Sequence, residues 1–153
     1  MAAADVGATA VLFQEMQAHY SVACPSLAEI AAKLLNLPSG VDLLVAAAPN
    51  IVGFAAVCAI FPGPGLEPGL FLKELFVSAQ ARGQGIGTKL MHASARLAVS
   101  RGFARLDWTA DRGHAGLMKF YAALGAVQQR EKVFYRLSGQ VLTELASAAS
   151  GEP

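Results

Sequence analysis

The residues best suited to chemistry are gathered in Gln80-Ala81-Arg82-Gly83-Gln84-Gly85-Ile86-Gly87-Thr88-Lys89. Three glycines at alternate positions let successive backbone N–H groups turn toward one point without obstruction by a Cβ. An apolar, strand-like run precedes the segment and a helical pattern follows it. Unpaired N–H donors and the partial positive charge of a helix start favour a phosphate or pyrophosphate, and Arg82 and Lys89 add full charge nearby. The dinucleotide fingerprint G-x-G-x-x-G fails, because its third glycine counted from Gly83 falls on Thr88. The P-loop G-x-x-x-x-G-K-[ST] fails too, because the chain reads Gly87-Thr88-Lys89. What remains is R-x-x-G-x-G in Arg82, Gly85 and Gly87. An ordinary strand-to-helix turn is the competing reading, and it needs fewer glycines.

Glu74 is the second such residue. It lies in Leu70-Phe71-Leu72-Lys73-Glu74-Leu75-Phe76-Val77, a run apolar on both faces apart from Lys73 and Glu74. That is the pattern of an interior strand. Burial makes the charged carboxylate costly and suits it to taking a proton from an ammonium, directly or through water. A salt bridge is the plainer reading. Neighbouring strand residues point to opposite faces, so Lys73 need not be the partner. Asp107 and Thr109 flank Trp108, and one face of that strand could line an acceptor site.

The elements that must position these residues follow from periodicity. Leu12, Phe13, Met16 and Tyr20 predict a helix over residues 10–22. Ser26-Leu27-Ala28-Glu29 is a capping box opening a second helix with Leu27, Ile30, Ala31 and Leu34 on one face. The uncharged run from Leu43 to Leu66 is long enough to cross a bilayer. Pro49-Asn50 interrupts it and Pro62-Gly63-Pro64-Gly65 ends it, so it reads as a buried hairpin with strands at 43–48 and 51–61. A strand at 70–77, a helix at 85–100 ended by Gly102, a strand at 104–109, a helix at 115–124 closed by Gly125, a strand at 133–137 and a short helix from Gln140 to Ala146 follow. The tail, 147–153, is expected to fray. The order α-α-β-β-β-α-β-α-β is an α/β layered domain with a mixed sheet, and 153 residues without repeat or linker fit a single domain, 1–153.

Arg82, Gly85 and Gly87 after an apolar strand resemble the pyrophosphate loop of the GCN5-related N-acetyltransferase (GNAT) family, [QR]-x-x-G-x-[GA]. Phe120-Tyr121-Ala122-Ala123-Leu124-Gly125-Ala126 is similar to that family's F-Y-x-x-x-G-[AF] helix. The resemblance covers roughly residues 43–137. Glu74–Val77 with Arg82–Gly87, and Val133–Gly139, look most like its diamine (spermidine/spermine) acetyltransferase branch. It implies a mixed, mostly antiparallel sheet with helices on both faces and a splayed central strand pair. It also implies acetyl-CoA as co-substrate, held by Arg82, Gly83, Gln84, Gly85, Ile86, Gly87 and Thr88, with the backbone of Leu75, Phe76 and Val77 pairing to the pantetheine arm. Tyr121 would protonate the departing thiolate, and His114 would stand where the family often has an asparagine that contacts the cofactor. The chain departs from the pattern in three places: Lys73 replaces one of two adjacent acids, His114 replaces the asparagine, and Met1–Thr9 is an unconvincing first strand. The sheet edge left there would be exposed or covered by a second copy in a homodimer.

Composition narrows the partners. Hydrophobic residues make up 54%, which excludes a disordered chain. With 12 basic residues against 11 acidic ones and no basic stripe, nucleic acid is not an expected partner. Cys24 and Cys58 form no C-x-x-C pair, and His19, His92 and His114 are not at metal-ligand spacing, so no metal is expected. The N-terminus has neither a basic n-region nor an apolar h-region, which points to a cytoplasmic chain with no membrane partner. The expected function is acetyl transfer to a primary amine of a small molecule, by direct attack in a ternary complex. The alternatives are a non-catalytic acyl-CoA-binding or sensory module and a protein or peptide N-acetyltransferase.

Overall fold

A computed structural model describes residues 1–148, so the end of the expected tail lies outside the described residues. The chain divides into two compact units, Met1–His114 and a second one from Ala115 onward. In the first, helices α1 (Val6–His19) and α2 (Leu27–Leu35) precede strands β1 (Val41–Ala47), β2 (Ile51–Ile60) and β3 (Gly69–Val77). Helix α3 (Ile86–Ser100) then leads to the short strand β4 (Leu106–Trp108).

The sheet order is β1-β2-β3-β4. The first three strands are antiparallel, and β4 runs parallel to β3 after the α3 crossover. The uncharged run is the expected hairpin: β1 and β2 pair around Pro49-Asn50, with the Ala48 N–H donating to Asn50 O at 2.8 Å. Among the described residues no helix is long and apolar enough to cross a membrane.

Alternation along the strands divides the core in two. Val6, Leu12 and Met16 of α1 and Ile30 and Leu34 of α2 pack on Leu43, Phe54 and Phe76. Phe13 stacks on Phe54 with centroids 4.3 Å apart. The other face carries Ala55, Val57, Leu70 and Leu72, all buried, and is covered by α3 through Ile86, Leu90, Met91 and Ala98. Gly53 allows that approach, since a Cβ there would lie 3.3 Å from Ile86 and from Leu90.

Local chemistry sets the helix ends. The Ser26 hydroxyl accepts from the Glu29 N–H at 3.3 Å, and the Glu29 carboxylate accepts from the Ser26 N–H at 2.9 Å, which completes the expected capping box. Gly102 (φ +74°) closes α3 in the left-handed conformation, with the Phe103 N–H reaching back to Ala98 O at 2.9 Å.

Several expectations need correction. The first helix spans Val6–His19, not residues 10–22, and Tyr20 lies just past its end with 56% of its surface exposed, outside the core stripe. Before it, in agreement with the reading of Met1–Thr9 as an unconvincing strand, there is a 3-10 turn, Ala3–Asp5, and no strand. The Met1 ammonium donates to Leu43 O of β1 at 3.0 Å instead.

The second unit holds helices α4 (Ala115–Ala123) and α5 (Gly139–Ala148). Gly125 (φ +82°) closes α4 as expected. Residues 133–137, expected as a strand, are not one. A strand needs a neighbour to receive its N–H and C=O groups, and among the described residues this unit contains no other strand. Tyr135, at its centre, is 86% exposed.

Candidate active site

The site grows from an irregularity in β3. Leu72 stands opposite Val57 and Glu74 opposite Ala56, so Lys73 is an extra residue, a β-bulge. Before the bulge, Leu70 and Leu72 face α3. After it, Phe76 packs with Phe54 on the α1 side. The inserted residue therefore turns Glu74, two positions before Phe76, onto the α1 face as well.

This corrects the expectation that Lys73 and Glu74 point apart. The Lys73 Nζ lies 3.6 Å from Glu74 Oε1, because the bulge breaks the alternation between them. The Glu74 side chain keeps 29% of its exposure, so it is less buried than a strand covered on both faces implies.

The same stretch is where β3 and β4 part. Their parallel pairing covers Leu70–Leu72 against Leu106–Trp108 and ends there. Beyond it, Leu75, Phe76 and Val77 pair only with β2, opposite Ala55, Phe54 and Gly53. Their other edge has no strand beside it among the described residues. This is the expected splay.

The glycine loop follows a 3-10 turn at Ala79–Ala81. Gly83 (φ +76°) and Gly85 (φ +74°) adopt left-handed backbone, and an added Cβ at either would meet nothing within 4 Å. These glycines thus answer to conformation and to open space, not to internal packing. Gly85 is the N-cap of the 15-residue α3, with no side-chain capping bond. The N–H groups of Ile86, Gly87 and Thr88 open that helix, where intrahelical acceptors are lacking. Arg82 is held by its Nε donating to Val77 O at 3.1 Å, with its guanidinium 5.9 Å from the Phe76 ring centroid. The Gln84 amide donates to Gln80 O at 3.3 Å. A pyrophosphate-bearing coenzyme fits this set, because the glycines leave room where side chains would intrude and the helix start supplies N–H donors a few residues from an arginine.

Tyr20, just past the end of α1, feels the charges of Glu74 and Arg82, an influence the sequence reading did not single out. Its phenol is pushed above the ordinary value of 10.0 by partial burial and then by the negative charge of Glu74, with Arg82 opposing. Tyr20, Glu74 and Arg82 therefore share one electrostatic neighbourhood. The signal was present as a tyrosine ending an amphipathic helix, where the hydroxyl can stay wet while the ring is partly covered.

The remaining candidates are placed as follows. Asp107 sits opposite Phe71 in register and pairs with Arg105, Oδ2 to Nε 3.0 Å. Thr109 lies just past β4 and is exposed. His114 ends the first unit, its N–H donating to Asp111 O at 3.2 Å. Tyr121 belongs to α4 in the second unit, partly buried, with its ring centroid 5.1 Å from that of Phe120. Among the described residues no group of three or more His, Cys, Asp or Glu could hold a metal ion.

Residues 11–126 match the family model described as acetyltransferase (GNAT) family. The chain belongs to the GNAT family. It shares a fold with an integron cassette protein from the mobile metagenome of V. cholerae, at TM-score 0.80 and 32% identity over 93% of this chain and 91% of that one. Thialysine N-epsilon-acetyltransferase of Mus musculus is 33% identical over 50% of this chain and 47% of its own. L-ornithine N5-acetyltransferase of Arabidopsis thaliana is 27% identical over 60% and 40%. The chain thus spans less than half the length of these curated relatives. Both agree with the diamine-acetyltransferase neighbourhood read from the sequence. The GNAT match runs from α1 through the end of α4 and so includes every candidate residue named above.

Proposed function

We propose that the chain is an acetyl-CoA-dependent N-acetyltransferase acting on a primary amine of a small molecule, by direct transfer in a ternary complex. The observation that carries the reading is the pair of left-handed glycines, Gly83 and Gly85, opening onto the head of α3 directly after a strand edge that, among the described residues, has no strand beside it. Bound acetyl-CoA would supply an acetyl thioester whose carbonyl carbon is the electrophile. The backbone of residues 83–88 and Arg82 bind its pyrophosphate, and the outer edge of Leu75–Val77 receives the pantetheine arm as an added strand. A backbone N–H at the splay polarises the carbonyl. The Glu74 carboxylate, turned to the α1 face by the bulge, takes the proton of the acceptor ammonium directly or through water. The Tyr121 Oη donates a proton to the departing sulfur, and His114 donates a hydrogen bond to the coenzyme.

The acceptor class rests on the relatives, whose names specify nitrogens at the far end of an amino-acid side chain. Asp107 and Thr109 are proposed to border the acceptor. One transferase domain, a cytoplasmic location and a homodimer complete the reading.

Isothermal titration with coenzyme A and thiol release from acetyl-CoA across a panel of primary amines test it. Binding with turnover on a small amine is the expected result. No heat and no thermal shift at saturating coenzyme overturn the assignment. The second reading, an acyl-CoA-binding module without turnover, is favoured by the Lys73–Glu74 ion pair, which engages the carboxylate meant to act as base. Tight binding with no thiol release on any amine would select it. Release on peptides alone would select a peptide acetyltransferase.

A further inference from the structure

The stretch between β3 and the glycine loop is held at its start by two backbone bonds. The Ser78 N–H donates to Val52 O and the Ala81 N–H to Ser78 O, both at 2.9 Å. A further bond comes from far along the chain. The Ala79 N–H donates to Glu15 Oε1 at 2.8 Å, across 64 residues. Glu15 projects from α1 between Leu12 and Met16, both in the core, and two residues after Phe13, which stacks on Phe54. Its carboxylate is thereby carried on a fixed element. Ala79 opens a 3-10 turn, whose first N–H finds no acceptor within the turn.

We propose that Glu15 is a positioning residue for the coenzyme loop: by capping Ala79 it sets the direction in which the chain enters residues 82–88. This rests on the reading of that loop as the pyrophosphate cradle. The physical reason is that the loop's own side-chain bonds, Arg82 Nε to Val77 O and the Gln84 amide to Gln80 O, both reach back to residues upstream of the glycines. Gly83 and Gly85 have nothing within 4 Å of their Cβ positions, so packing does not hold them. Glycine also has the widest conformational freedom to lose. The orientation of the donors must then be inherited from bonds upstream, and losing one spreads the loop over unproductive states that binding has to reselect. A carboxylate beside an anion site is electrostatically unfavourable, so its task here is geometric.

Four variants test this by titration with coenzyme A and by steady-state kinetics. Glu15→Ala removes the acceptor. Ala79→Pro removes the donor, and the backbone tolerates it, since Ser78 (φ −49°, ψ 139°) has the extended form that precedes proline and proline suits the first position of a helical turn. Each should raise the coenzyme Kd and the KM for acetyl-CoA about ten-fold while kcat at saturation stays within about two-fold. The double variant should be no weaker than either single one, because both delete the same bond. Glu15→Gln keeps an acceptor oxygen and should bind within about two-fold of the unaltered chain.

Glu29→Ala, which loosens α2 through its capping box, should lower Tm and leave Kd unchanged, separating loss of stability from loss of positioning. Additive losses in the double variant, or unchanged Kd in both single variants, overturn the proposal alone. Failure of the unaltered chain to bind coenzyme A overturns the cradle reading and this proposal with it. Should Glu15→Ala not fold, Ala79→Pro reads the same bond.

Discussion

At the scale of single residues, one inserted lysine decides where the carboxylate points. Without the bulge at Lys73, Glu74 would share the α3 face with Leu70 and Leu72. With it, Glu74 stands on the α1 side, near Tyr20 and Arg82. Two predictions belong here. The Tyr20 phenol should titrate above its ordinary value in a spectrophotometric scan. Glu74→Gln should bring it down by removing an anion that opposes phenolate, and Arg82→Gln should push it further up. An unchanged titration in both variants would separate Tyr20 from the site. Tyr121→Phe should lower kcat by about a hundred-fold or more while coenzyme affinity stays near that of the unaltered chain, as loss of a general acid requires. Full activity in that variant removes Tyr121 from the mechanism.

At the scale of elements, the head of α3 and the core under α1 carry separate functions. Gly85→Val should abolish coenzyme binding, since a β-branched side chain would be forced to φ +74° and would fill the open space over the helix start. Binding by titration reads this directly. Phe54 is fully buried between Phe13 of α1 and Phe76 of β3. Phe54→Ala should cost about 3–5 kcal/mol in denaturant unfolding. It would also loosen both the helix that carries Glu15 and the strand that carries Glu74.

At the scale of the whole chain, acid sensitivity has one traceable source in the α2 capping box. Hydrogen bonds from Ser26 hold the Glu29 carboxyl below its ordinary value of 4.5. A depressed folded value contributes stability above the unfolded value and loses it as pH falls through the folded one. The Tm difference between the unaltered chain and Glu29→Ala should therefore be largest near neutrality and vanish in strong acid. At the outer edge of β1 the Met1 ammonium donates to Leu43 O, and a homodimer that covers the rest of this edge should appear in sedimentation as twice the chain mass. A monomer at all concentrations would remove that expectation.

The chain's own order of residues determined the glycine loop, the hairpin around Pro49-Asn50, the capping box at Ser26 and the helix end at Gly102, because each depends on local backbone chemistry within a few positions. It also located the splayed strand, since a run apolar on both faces must lie inside a sheet. Tertiary structure alone decided the Lys73 bulge, the approach of Tyr20 to Glu74, and the bond from Glu15 to Ala79. A bulge is a mismatch of register between two strands, and the other two join residues more than fifty positions apart. The same reason explains the miss at 133–137, where strand-forming residues have no other described strand within their own unit to pair with. Local preference proposes an element, and only a partner distant in sequence completes it.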